Sequence, residues 1–317
     1  MSTACHASST VPSPAANVAA ALGDARVVIL DREPNPYAAT FDGEIVRCRW
    51  PDGTERRLFC KVGGRHPDNP DDDHGGVAYE VAVYRDVLVP TAMSPLRFWG
   101  SHCDEASGVT SLLVDHLDGA TRSDRAHDPS RALATTAQWI GRFHSAAASR
   151  VHEASASFLV RRHAEHYLRW LERTAAFAGQ GWLEPVVRHY PSCVDTLVSR
   201  PVTIIHGDYY ADNALVEGDR VCPIDWGWAA VAPGEIDLAS LTEGWPADVC
   251  AACRGGYVEG RWGAGGADPG FEGALLAARF YHLFRWLGHR ADWVGTQRWE
   301  RRLERLRLLS QQTGLIV

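Results

Sequence analysis

The sequence predicts an α+β protein, with a small antiparallel sheet and one helix in the first third and a larger, mainly helical part after it. Three observations predict this. Short β-rich runs separated by Asp-Gly turns occupy the region up to about residue 117; from Pro129 onward apolar residues recur at helical spacing; and a single strand-loop-strand island, Val202 to Ile224, interrupts the helices.

Residues 1–26 read as a frayed tail, because the stretch to Ala21 is rich in Ala, Ser and Pro and has neither the basic start nor the unbroken apolar run of a secretory signal. Val27–Leu30, Glu44–Trp50 and Arg57–Val62 are expected strands, with turns at Asp42-Gly43 and Asp52-Gly53. After a polar Gly/Pro/Asp stretch, Val77, Val81, Tyr84 and Leu88 form one apolar helical stripe that closes at Pro90. Glu80 borders that stripe, and a carboxylate on the packed side of a helix needs a cation. Leu96–Gly100 and Thr110–Leu117 would complete a sheet of about five strands. Helices are expected over Pro129–Ala148, Ser157–Phe177, Leu183–Val198, Phe271–Trp293 and Thr296–Leu309, and short strands over Val202–Ile205, Ala214–Val216 and Val221–Ile224.

At 317 residues the chain can bury one or two substantial cores, and its net charge of −7 with no basic run argues against a nucleic-acid footprint. No stretch approaches the roughly 20 apolar residues of a membrane-spanning helix. The 8 cysteines show no framework spacing, which suggests reduced thiols and a cytoplasmic protein; Cys250-Ala-Ala-Cys253 has no second pair and reads as structural. Of the 32 Lys and Arg residues only Lys61 is lysine. In so arginine-biased a chain, a retained lysine suggests a task for a compact ammonium, such as gripping phosphate oxygens.

The island reads His206-Gly207-Asp208-Tyr209-Tyr210-Ala211-Asp212-Asn213 and continues as Ile224-Asp225-Trp226; downstream lies Gly234-Glu235-Ile236-Asp237-Leu238-Ala239, and upstream Gly141-Arg142-Phe143-His144. These segments resemble the aminoglycoside phosphotransferase and choline kinase family. That resemblance implies a bilobal protein-kinase-like fold: an N-terminal nucleotide-binding lobe over 27–114, a hinge over 115–120, and a helical C-terminal lobe over 121–317 that carries the catalytic loop and the acceptor site. It also implies an O-phosphotransferase that uses ATP and Mg²⁺.

Phosphoryl transfer asks a protein mainly for positioning and charge neutralisation, and the matched residues suit those tasks. Asp208 would orient the acceptor hydroxyl and take its proton. Asn213 and Asp225 offer the oxygen donors that magnesium prefers. By the same resemblance, Lys61 would contact the α- and β-phosphates and be held by Glu80, while the backbone of Asp115 and Leu117 would bind adenine. Asp237 is expected to brace the catalytic loop, and His206 and His144 to be structural. The loop Asn35 to Phe41 lacks the glycines of the broader kinase pattern, so only Thr40 is offered there and GTP stays open beside ATP.

Tyr210 stands where protein-acting kinases carry a basic residue, and the segment from Asp225 to Asp237 is too short for a peptide platform, so a small-molecule hydroxyl is the expected acceptor. The acidic residues Asp212, Glu235, Glu243 and Asp248 favour a cationic one, an aminoglycoside or other hydroxylated antibiotic, which would make the enzyme a resistance factor. The tryptophans Trp226, Trp228, Trp245, Trp262, Trp286 and Trp293 admit a second reading, a cage for choline or stacking faces for a ring. Ethanolamine, sugar or homoserine kinases belong to that metabolic alternative, and a pseudokinase is the reading from another class. No obligate protein partner is evident. The C-terminal helices, including Arg279, His282 and Arg285, are expected to line the acceptor pocket.

Overall fold

Alternation of side chains along the strands decides which residues of the first unit face its core. The computed structural model describes residues 18–35, 41–64, 75–94, 96–177, 181–289 and 291–316, and the chain divides into two compact units, Met1–Asp118 and Gly119–Val317. In the first unit, α1 (Val18–Leu22) precedes β1 (Val28–Pro34), β2 (Asp42–Arg49) and β3 (Glu55–Gly63). Next come α2 (Gly76–Ala82), a π-helical stretch Val83–Leu88, the short α3 (Val89–Thr91), β4 (Phe98–Cys103) and β5 (Thr110–Asp115). The five strands pair antiparallel in the order β1-β2-β3-β5-β4.

Leu58, Cys60 and Val62 of β3 point to one face of that sheet, where they join Val46, Cys48 and Leu113 in a buried apolar cluster. Val18 and Ala21 complete the cluster, which corrects the expectation of a frayed tail up to residue 26: α1 is a packed helix. Its seat is Gly100 of β4, at φ 150°, where a Cβ would collide with the carbonyl oxygen of Ala21. Period-2 alternation sends Lys61 to the opposite face.

The second unit is mainly helical: α4 (Pro129–Ala147), α5 (Ala164–Phe177), α6 (Leu183–Val198), α7 (Glu235–Thr242), α8 (Ala247–Trp262), α9 (Phe271–Gly288) and α10 (Gln297–Gln312). Asp128 caps α4 by accepting from Arg131 N–H at 3.0 Å, with Pro129 opening the helix. Two small sheets punctuate the helices. One orders β10 (Arg220–Pro223), β9 (Ala214–Glu217) and β6 (Thr121–Arg122), and the other orders β7 (Val160–Arg161), β11 (Ala230–Ala232) and β8 (Thr203–Ile205). Tyr167, Trp170, Tyr190, Phe280, Phe284 and Leu306 anchor the main core, contributed by α5, α6, α9 and α10.

Several expected helix bounds need correction. The helix expected from Ser157 begins only at Ala164, because Val160 and Arg161 pair with β11. The helix from Phe271 stops at Gly288 rather than Trp293. Helix α8, which carries Cys250 and Cys253, had no counterpart in the sequence reading. Among the described residues no helix is long and apolar enough to cross a membrane.

Candidate functional site

In the first unit, strand register places Lys61 opposite Gly43 of β2 and Leu112 of β5. Its ammonium donates to Glu80 Oε2 at 2.7 Å; the two side chains are only 12% and 3% exposed. The Phe41 ring lies 5.5 Å from Nζ. The cation required by a buried Glu80 is therefore Lys61. Asp115 is tied into the sheet: its N–H donates to Arg97 O at 3.1 Å, and its carboxylate accepts from Arg97 N–H at 3.0 Å and Trp99 indole N–H at 2.7 Å. Leu117 follows β5 in irregular backbone. Thr40 lies outside the described residues.

In the second unit, β8 delivers His206-Gly207-Asp208. Gly207 has φ 83°, and a Cβ there would meet the carbonyl oxygen of Trp228, so the turn admits only glycine. Asp237, in the first turn of α7, takes the His206 N–H at 2.7 Å and the Gly207 N–H at 2.9 Å, one on each carboxylate oxygen. It also pairs with His144 Nε2 at 3.0 Å. His144 Nδ1 in turn lies 3.0 Å from the Tyr257 hydroxyl, which accepts from Arg261 at 2.9 Å. Hydrogen bonding thus runs one way, from Arg261 through Tyr257 and His144 to Asp237, with a neutral imidazole. Burial pushes the Asp237 carboxyl up, but its bond to His144 and the loop N–H groups outweigh this and hold it below the usual range.

Asn213 completes the loop. Its Nδ2 donates to Asp208 O at 2.8 Å and Asp208 Oδ2 at 3.1 Å, and its carbonyl accepts from Ile224 N–H at 2.9 Å. Pairing of Ala214 with Pro223 sets Asn213 beside the turn into Asp225. Asp225 itself adopts φ 64°, ψ 60°, a left-handed conformation that Asp tolerates and that recurs at functional positions. His206 spans loop and strand, with Nε2 2.8 Å from Ile224 O and Nδ1 accepting from Asp208 N–H at 3.3 Å.

Asp208 has a side chain 23% exposed, with Arg285 Nη1 3.6 Å from Oδ1. Burial pushes its carboxyl up, Arg285 and His206 pull it back, and the Asp225 carboxylate adds to the rise. Both Asp208 oxygens are therefore held, Oδ2 by Asn213 and Oδ1 by Arg285. A second one-way chain supports the loop: Trp286 indole N–H donates to the Tyr210 oxygen, Tyr210 O–H to His282 Nε2 at 2.8 Å, His282 Nδ1–H to Ser240 Oγ at 3.4 Å, and Ser240 O–H to Ile236 O at 3.1 Å. Sequence reasoning named His282 and Arg285 without roles and missed this chain, whose members are scattered over 76 positions. Arg279 is exposed.

Asn213 and Asp225 suit magnesium. With Nδ2 committed to Asp208, the Asn213 amide presents Oδ1 as its acceptor, and two protein oxygens are a normal complement for a magnesium that takes its other ligands from phosphate and water. Among the described residues no group of three His, Cys, Asp or Glu forms an all-protein metal site. Cys250 and Cys253 lie on one face of α8; burial pushes both thiols up, Cys253 to about 12, which opposes the thiolate form that metal or redox chemistry needs.

Two of the four acidic residues expected to favour a cationic acceptor are neutralised internally. Glu235 is buried with Arg200 3.5 Å away, and Glu243 meets Arg302 at 3.2 Å and Arg305 at 2.8 Å. Asp212 pairs with Arg122 at 3.5 Å, and Asp248 is exposed. Several of the tryptophan faces are also taken. Trp226 is core, Arg285 covers Trp228 at 4.5 Å, and Arg298 lies 4.5 Å from both Trp286 and Trp293.

A family model described as the phosphotransferase enzyme family matches residues 52–273. No curated protein matches the chain. Among solved structures, the GDP complex of wild-type aminoglycoside 2'-phosphotransferase-IIIa is similar with a TM-score of 0.66 at 13% identity, over 90% of this chain and 94% of that one. A choline/ethanolamine kinase family protein from Mesorhizobium loti gives 0.56 at 18% identity, over 88% of each chain. An amicoumacin kinase in complex with AMP-PNP, Ca²⁺ and Ami gives 0.58 at 10% identity, over 92% and 90%. At these identities the likeness is one of fold.

Proposed function

This chain belongs to the phosphotransferase enzyme family, and from that premise we propose that it transfers the γ-phosphoryl group of ATP to a hydroxyl of a small molecule. The observation that carries the reading is the assembled loop. Asp208 has both carboxylate oxygens held and stays partly open to solvent, and the two oxygen donors of a magnesium site follow it in one hydrogen-bonded turn. Asp208 orients the acceptor hydroxyl and accepts its proton as the oxygen attacks phosphorus. Lys61, held by Glu80, grips the α- and β-phosphates, and the backbone at Asp115 and Leu117 holds the base. Magnesium, when bound by Asn213 and Asp225, supplies charge neutralisation on the phosphates.

The same loop speaks against a pseudokinase, since Lys61, Asp208, Asn213 and Asp225 are all present and the Lys61–Glu80 pair is made. An aminoglycoside or a quaternary ammonium acceptor draws less support, because the carboxylates and indole faces that would receive it are engaged by the protein's own arginines.

The test is ADP release from ATP and Mg²⁺ over a panel of hydroxylated antibiotics, choline, ethanolamine, sugars and hydroxy acids. Acceptor-dependent turnover should fall by about 10²- to 10⁴-fold in Asp208→Ala. Turnover unchanged in that variant would refute the assignment.

A further inference from the structure

The catalytic turn is bracketed by two buried cations, only one of which has an anionic partner. Resting on the phosphotransferase reading, we propose that Arg162 and Arg285 form an anion subsite beside Asp208, so that the acceptor alcohol carries an acidic group, a carboxylate or a phosphate, a few bonds from its reacting hydroxyl.

Arg162 follows β7 and is 5% exposed. Its Nη2 reaches only the Trp228 carbonyl, at a long 3.4 Å, and its Nε and Nη1 have no hydrogen-bond partner among the described residues. No carboxylate pairs with it there. The Tyr167 hydroxyl is close enough to feel its charge and is likewise buried without a partner. A guanidinium out of water without a counter-charge is a costly arrangement, and folds keep such costs mainly where function requires them.

Position gives the cost a purpose. Arg162 Nη2 lies 2.8 Å from where a Cβ of Gly207 would stand, and Arg285, reaching in from α9, sets Nη1 3.4 Å from Gly207 O and its guanidinium over the Trp228 ring at 4.5 Å. Both cations therefore contact Trp228 and flank Gly207, the residue immediately before Asp208. Asp208 offsets one charge, at Arg285, and leaves the other. Glu235 and Glu243 do not supply it: they pair with Arg200 and with Arg302 and Arg305. An incoming acidic group would accept from Arg162 Nε and Nη1 and supply the counter-charge that Arg162 lacks, in surroundings where charge-assisted hydrogen bonds are strong. An internal water could take the same hydrogen bonds but would leave the charge uncompensated.

Thermal unfolding with inorganic sulfate as the probe tests the site directly. A saturable rise in Tm is expected in the wild type and in Lys61→Met, which controls for phosphate-binding at the nucleotide position. Arg162→Met should lose that rise and unfold at a higher temperature than the wild type without sulfate, since it removes an uncompensated buried charge. ADP release is then compared for glycerate, glycerol phosphate and glycerol, the first two distinguishing carboxylate from phosphate. An acidic acceptor should be preferred, with its KM raised about 10- to 100-fold in Arg162→Met and kcat little changed. A sulfate shift retained in Arg162→Met, or a lower ligand-free Tm in that variant, overturns the subsite. So does Asp208-dependent turnover of neutral or cationic alcohols that Arg162→Met leaves untouched, while the phosphotransferase reading survives. If no acceptor releases ADP yet sulfate still needs Arg162, the subsite stands and that reading fails. Should Arg162→Met not fold, Arg162→Gln carries the same comparisons, and failure of both to fold overturns the site.

Discussion

Two single residues show how little freedom the site leaves. Gly207 combines a left-handed φ of 83° with the Trp228 carbonyl where a Cβ would go. Gly207→Ala should destabilise the protein by about 2–4 kcal/mol in urea unfolding, from strain plus displacement of backbone. A midpoint equal to wild type would show that the turn can relax. Lys61 offers a cleaner separation of roles. Lys61→Met takes the ammonium away from the buried Glu80 carboxylate, at a cost of about 1–3 kcal/mol, and should raise the KM for ATP. Adding Glu80→Gln should restore much of the stability and none of the nucleotide binding; recovery of both would mean the pair is purely structural. Lys61 and Glu80 were legible in the sequence because a lone lysine and a carboxylate on an apolar stripe each demand a partner. Arg162 was not legible: nothing in Val160-Arg161-Arg162-His163 says which arginine turns inward until β7 pairs with β11.

At the scale of elements, the catalytic loop hangs from the first turn of α7. Asp237 accepts from two loop N–H groups and from His144, so Asp237→Asn would put an amide where only acceptors fit and leave buried donors unmet. A loss of about 2–4 kcal/mol is expected, with turnover falling although Asp237 is fully buried. Stability within experimental error of wild type would contradict this account. The strands around the loop could be read from the sequence because short apolar runs and the Gly218-Asp219 turn mark them. Helix α8 could not, because its glycines depress helix propensity. Two of them, Gly256 and Gly260, lie against the backbone of α4 at Ala134 and Gln138, so what looked like a helix breaker is a device for close helix packing. The false extension of α5 to Ser157 has the opposite cause, a tertiary strand pairing that overrides local pattern.

Across the whole molecule, the buried polar chains set a pH dependence. His282 and His144 are fully buried, and burial, reinforced at His282 by Arg302 and Arg285, holds both below the ordinary histidine range. The unfolded chain binds protons on these groups near pH 6.5, whereas the native state resists them. Stability is therefore fully present above about pH 6.5 and falls as the pH drops below it, by up to about 1.4 kcal/mol per unit for each histidine. Urea midpoints at pH 7.5 and 5.5 check this; equal midpoints would mean that the imidazoles are charged in the fold. The α+β class was readable from periodicity, and the family, with the fold that the resemblance implies, from some thirty residues of motif. Which carboxylates could face an acceptor was not readable, because the sequence does not disclose that Glu235 and Glu243 pair with internal arginines.

The solitary lysine also makes the molecule chemically addressable. Among 317 residues the only side-chain amine is the one clasped by Glu80, so an acylating reagent has a single lysine to modify, and protection of that one amine would report nucleotide occupancy without any knowledge of the acceptor.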